Sequence, residues 1–129
     1  MSGDLELVFS PVHGPPKRLG PYSCVRFESE VIRDRADGPI LARHVEHRWI
    51  IDGVAYTRLD CDCRVSVRFE RMDGTLSREY GPYDSFSCVD GIAYVDREVF
   101  AIADRSIGDW YCHDNGRHWP LMTVSRAAG

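Results

Sequence analysis

Five two-residue turn signals punctuate this chain, Asp37-Gly38, Asp52-Gly53, Asp73-Gly74, Asp90-Gly91 and Asn115-Gly116, each between stretches rich in Val, Ile, Tyr, Phe and Trp. Tight hairpin loops that match strand twist need positive φ, which Gly adopts freely and Asp or Asn at little cost. The pattern predicts an all-β, antiparallel up-and-down meander. Strands are expected over 5–12, 23–34, 40–51, 54–72, 75–80, 85–89, 92–96, 109–113 and 117–126, with a Pro/Gly-rich loop over 11–21. Such a meander closes into a barrel of about eight or nine strands. Segment 97–104 reads equally as helix or strand. No low-complexity run, charge block or sequence repeat stands out, and 129 residues make one β-barrel domain over 1–129.

A formal net charge of -4 and a pI near 5.7 offer no electrostatic reason to expect nucleic acid or an anionic membrane as partner. No apolar run is long enough for a membrane helix, and the first residues lack a basic region ahead of an apolar one, so a cytoplasmic protein is expected. Cys24, Cys61, Cys63, Cys88 and Cys112 are odd in number, which favours free thiols.

In an antiparallel pair, opposite residues share a face, so the alternation selects hairpin registers. Around Asn115-Gly116 a two-residue loop sets Cys112 opposite Trp119 and His113 opposite His118. Around Asp52-Gly53 a three-residue loop, 51–53, sets Val45 opposite Leu59 and Trp49 opposite Ala55, and Asp90-Gly91 is read the same way. Around Asp73-Gly74 two residues set Arg71 opposite Leu76, Val67 opposite Tyr80 and Arg68 opposite Glu79. The inward face then holds Val25, Phe27, Val45, Trp49, Leu59, Cys61, Cys63, Val65, Val67, Phe69, Leu76, Tyr80, Phe86, Cys88, Tyr94, Trp110 and Trp119. Its polar members are His47, Arg78 and the hydroxyls of Tyr80 and Tyr94. A buried polar group needs a partner, and a ligand can supply it; so can a backbone carbonyl for His47 or the barrel mouth for Arg78. The run 54–72 is too long for one strand and must bend. A bend between Leu59 and Val65 lets Asp60, Asp62 and Arg64 turn inward; without one they form a solvated ion-pair ladder.

Cys61-x-Cys63, with Cys88, Cys112, His113 and His118, raises the question of zinc, but alternation places both thiols on an apolar strand face rather than in a knuckle, and no metal is expected. The phosphate loop, nucleophile elbow, zinc-protease helix and dinucleotide fingerprint are all missing, so no cofactor is expected. Cofactor-free acid/base chemistry remains, with His47, Asp60 or Asp62 tuned by burial and an arginine.

Leu7-Val8-Phe9, Trp49 ahead of Asp52-Gly53, Leu59-Asp60-Cys61-Asp62-Cys63-Arg64, and Asp73-Gly74-Thr75-Leu76 followed by Gly81 together resemble a bacterial family of calycin-like, that is lipocalin-like, β-barrels of unknown function. The resemblance implies a closed barrel around a small-molecule cavity, with Trp49, Asp62 and Arg64 near it. The expected function is binding of a small, largely apolar organic molecule. As a cofactor-independent isomerase, cyclase or lyase, the protein would use His47 or Asp62 to move a proton and Arg64 or Arg78 to steady negative charge, with Trp49, Tyr80, Tyr94, Trp110 and Asp60 lining the site. The alternatives are a non-catalytic carrier or sensor barrel and a self-associating module; a homodimer is expected only because symmetric dimers are common.

Overall fold

A computed structural model describes residues 5–28, 30–35, 37–61, 63–104 and 108–127. The first half of the chain forms β1 (Leu5–Ser10), β2 (Lys17–Tyr22), β3 (Cys24–Phe27), β4 (Val31–Asp34), β5 (Ile40–Val45), β6 (Arg48–Ile51), β7 (Val54–Tyr56) and β8 (Arg58–Cys61). The second half forms β9 (Val65–Glu70), β10 (Tyr80–Tyr83), β11 (Phe86–Val89), β12 (Ile92–Val95), β13 (Glu98–Asp104), β14 (Asp109–Cys112), β15 (Arg117–Trp119) and β16 (Leu121–Arg126). Segment 97–104 thus resolves as strand. Among the described residues no helix is long and apolar enough to cross a membrane, which says nothing of strands.

The all-β, antiparallel expectation holds, but pairing produces two eight-stranded sheets rather than one sequential meander. The first runs β15-β14-β13-β12-β11-β8-β1-β2 and the second β10-β9-β16-β3-β4-β5-β6-β7. Neither closes on itself. The chain passes between them at Ser23, Thr57, 62–64, 84–85 and Pro120. Thr57 pins its corner by donating from N to the Ser10 carbonyl at 2.9 Å and from Oγ1 to the same oxygen at 3.3 Å. The long run 54–72 therefore bends, as expected, and contributes β7, β8 and β9. Part of the expected 11–21 loop is instead β2, whose Pro21 is tolerated because β2 is an edge strand; Pro82 on the edge strand β10 is the counterpart.

Several expected registers shift. Asp52-Gly53 and Asp90-Gly91 are two-residue loops, with Ile51 opposite Val54 and Val89 opposite Ile92. The three-residue reading assumed that 40–51 and 54–72 were continuous; in fact Glu46-His47 turns the first and Thr57 ends the strand of the second. Trp110, not Cys112, lies opposite Trp119, and Tyr111, not His113, opposite His118. That slip is an even number of residues, so Trp110, Cys112 and Trp119 remain inward. Tyr80 lies opposite Val67 as expected, and Arg68 reaches Glu79 at 3.3 Å, whereas Leu76 bridges to Glu70 instead of Arg71.

Between the sheets lies an aromatic core in which Phe9, Phe27, Trp49, Phe69, Phe86 and Trp110 are the largest fully buried side chains. Burying each is worth about 1.5–3 kcal/mol. Edge-on contacts join Phe9 to Trp49 at 6.4 Å and Phe27 to Trp110 at 6.1 Å. Of the expected inward residues, Val45 and Leu76 are exposed, and Cys63 and Tyr94 only half-buried.

Although no sequence repeat stands out, the strand order itself repeats. Replacing each strand of the first sheet by its counterpart eight places away in the chain reproduces the order of the second sheet, strand for strand. Registers follow: Leu7 faces Cys61 and Leu19 as Val67 faces Val124 and Tyr80, and Ile32 faces Ala42 as Ala93 faces Ala101. Even the bulges coincide, at Ile32/Arg33 and Ala93/Tyr94. This equivalence superposes Phe9 on Phe69, Gly20-Pro21-Tyr22 on Gly81-Pro82-Tyr83, Ala42 on Ala101, Trp49 on Trp110 and Gly53 on Gly116. Both Gly-Pro bonds are cis.

Burial also governs the thiols. None of the five cysteines forms a disulfide, and Cys61 and Cys88 are buried. Desolvation pushes the Cys88 thiol from 9.0 up to about 12, and for Cys61 desolvation, then the neighbouring Cys63, acts in the same direction. Between those two values the unfolded chain releases the Cys88 proton while the fold retains it. The stability is therefore complete below pH 9 and falls as pH rises, by about 1.4 kcal/mol per unit per thiol. Urea unfolding between pH 8 and 11 is expected to show a shallower decline in Cys88→Ala; equal slopes would refute the assignment.

Candidate functional site

A cleft of about 460 Å³ is lined by His47, Ile102, Ala103, Asp104, Tyr111 and His118. Strand pairing builds most of it. Ile102 lies opposite Tyr111 and Tyr111 opposite His118, so a row of three side chains runs across β13, β14 and β15 on the face away from the core. The Tyr111 and His118 rings are 5.1 Å apart and tilted by 57°. Ala103 and Asp104 close the row at the end of β13.

His47 comes from the other sheet. It is the second residue of the β5–β6 turn, where Glu46 and His47 both adopt positive φ, 50° and 67°. That geometry matches strand twist but normally selects glycine or asparagine, so non-glycine residues there carry strain, a feature that gathers at functional sites. The His47 ring lies over the β11–β12 turn. A Cβ placed on Gly91, itself at φ +77°, would stand 2.7 Å from His47 Nδ1 and 3.2 Å from Cε1. Gly91→Ala is therefore expected to swing the imidazole out of the cleft, read as a shift of the His47 ring resonances with those of His118 unmoved. Behind His47, buried His44 stacks on Trp49 with centroids 4.3 Å apart, and the His44 and His47 rings are 6.1 Å apart.

Chemically the cleft offers two imidazoles that can donate or accept, a phenol, one carboxylate and an apolar floor from Ile102 and Ala103. The groove on the outer face of the second sheet is different. It measures about 240 Å³ and includes Arg68 and Glu70, but its charges are already matched, Arg68 to Glu79 at 3.3 Å and Glu70 to Arg26 at 2.9 Å. Among the described residues no group of three or more His, Cys, Asp or Glu could hold a metal ion.

Of the residues singled out in the sequence, His47 lines the cleft, but as an exposed turn residue rather than an inward one. The buried histidine is His44. Parity counted back from Trp49 fails because the turn at Glu46-His47 lies between them. Asp62 lies outside the described residues. Arg78 points outward, its guanidinium 4.1 Å over the Tyr80 ring and 3.6 Å from Asp114. Arg64 is exposed and pairs with Asp84 at 3.2 Å. Asp60 accepts from Arg58 at 2.8 Å in a single partly exposed ion pair along β8. Trp49 and Trp110 are core residues, and the buried Tyr80 accepts from Asn115 Nδ2 at 3.0 Å. Tyr94 lies half-buried on β12. The eight described residues of that set therefore do not converge. Sequence reasoning missed Ile102, Asp104 and Tyr111 because segment 97–104 had no assigned state, and it paired His118 with the wrong residue.

No family model, no curated protein and no solved structure matches this chain.

Proposed function

We propose that this domain binds a small organic molecule with an apolar body and a hydrogen-bonding or anionic end in the cleft between the β5–β6 turn and strands β13 to β15. One observation carries the reading. Across the internal repeat, Asp104, Tyr111 and His118 take the positions of Val45, Ile50 and Ala55. The same frame accepts aliphatic side chains at the Tyr111 and His118 positions, so the architecture does not require a phenol and an imidazole side by side on this outer face, and their pairing there supports recognition. In this reading Ile102, Ala103 and the Tyr111 ring hold the apolar body, and His47 and His118 bind the polar end. Turnover, as in a cofactor-free isomerase or lyase, would use one of the two imidazoles to move the proton.

The test is a small-molecule screen read by chemical shifts of the His47 and His118 imidazoles. A hit is expected to weaken at least about tenfold, or 1.4 kcal/mol, in His47→Ala/His118→Ala, with the melting temperature unchanged because both side chains are exposed. Hits that map to the core or to the Arg68 groove, or that bind the double variant equally well, would refute it.

A further inference from the structure

The internal repeat has a consequence for assembly. The halves 5–61 and 65–126 meet through two strand pairs, β8 with β11 in the first sheet and β16 with β3 in the second. These are the same contact made twice. Cys61 and Leu59 face Phe86 and Cys88, while their counterparts Val124 and Met122 face Val25 and Phe27. A surface in which patch i meets patch j while j of the other unit meets i is an isologous, two-fold interface, the geometry of symmetric dimers.

Each half also holds itself together. In the first, β1 pairs with β2, which continues into β3 and the ladder β3-β4-β5-β6-β7; the chain then turns into β8, which returns to β1. Phe9 touches Trp49 and Tyr56 within that circuit. In the second half β9 is bounded in the same way by β10 and β16, and Phe69 meets Trp119 at 5.9 Å, as Phe9 meets Tyr56 at 6.0 Å. The covalent tie is short, residues 62–64, and the Ala127 amide at the other end of the chain donates to the Arg64 carbonyl at 2.9 Å beside it.

We infer that the chain is two fused copies of one structural unit and that the contact between its halves is a two-fold dimer interface, so that each half's fitting partner is a second such half. The tie at 62–64 supplies effective concentration, and the bonds of its Arg64, to Ala127 and Asp84, stay within the second half. The polar cleft then belongs to the second half, which has specialised, with His47 reaching in from the first.

A full-length chain with a specific protease site inserted between residues 62 and 63, cleaved after folding, tests this. The two fragments are expected to co-migrate as a 1:1 complex in native mass spectrometry and to recover that complex and its near-ultraviolet dichroism after urea unfolding and dilution. The unfolding midpoint should now rise with protein concentration. Fragments that separate on cleavage, or fail to reassemble where the uncleaved chain refolds, would overturn the inference. If the insertion itself blocks folding, a chain with 63–129 placed before 1–62 decides: a native-like spectrum supports two interchangeable units and an unfolded chain refutes them. Because the readout is assembly, failure of the binding proposal leaves this result untouched.

Discussion

Phe69→Ala is expected to lower the unfolding free energy by about 3–5 kcal/mol, the range for a large aromatic removed from a core that cannot collapse around the gap. Phe69 is fully buried and meets Phe100 at 5.5 Å, Trp119 at 5.9 Å and Tyr80 at 6.1 Å, so its loss strips contacts from three rings. Its counterpart Phe9, equally buried and bounded by Trp49 and Tyr56, is expected to cost a similar amount. Urea denaturation of both variants provides the comparison. A cost below about 1 kcal/mol at either site would contradict the packing described, since large-to-small core changes rarely fall so low.

The second large effect belongs to two glycines. Gly20 and Gly81 have φ of +125° and +118°, and a Cβ would stand 3.0 Å from the Leu5 and Val65 carbonyl oxygens respectively. An L residue in that backbone region costs about 1–3 kcal/mol, and the opposing atoms are backbone in β1 and β9, which cannot yield without disturbing the ladder. Gly81→Ala and Gly20→Ala are thus expected to fall at or above the top of that range. Gly74→Ala separates the two causes, because Gly74 has φ +93° but open space around its Cβ position. If all three variants lose the same stability, close approach contributes nothing and the argument for Gly20 and Gly81 fails.

Much of the local structure was legible in the sequence. Asp52-Gly53 and Asp90-Gly91 turn where they were expected, and the resulting hairpins carry their apolar residues inward, because turn chemistry and the two-residue side-chain period act within a few residues. Turns without glycine were invisible. Glu46-His47 and Asp96-Arg97 adopt positive φ at non-glycine residues, and missing the first reversed the inferred orientation of His47 and Val45. The repeat escaped notice for a related reason: its halves share only scattered identities, such as the Gly-Pro-Tyr segments and the two tryptophans, and the spacing between equivalent positions drifts along the chain.

The candidate site was hardest to foresee. Ile102, Tyr111 and His118 stand in one row only because β13, β14 and β15 are neighbours, and His47 joins them from the opposite sheet.

By itself the sequence determined that this protein is built of short antiparallel strands, where most of them turn, and which side of most of them faces the core. Only the tertiary structure decided which sheet each strand joins, that the second half repeats the first, and that two histidines distant in sequence share a cleft. The division follows from range. Backbone turn preference and alternation are settled between residues a few positions apart, whereas sheet membership and the cleft depend on corners such as Thr57 and on packing between strands far apart in the chain, which no local pattern records.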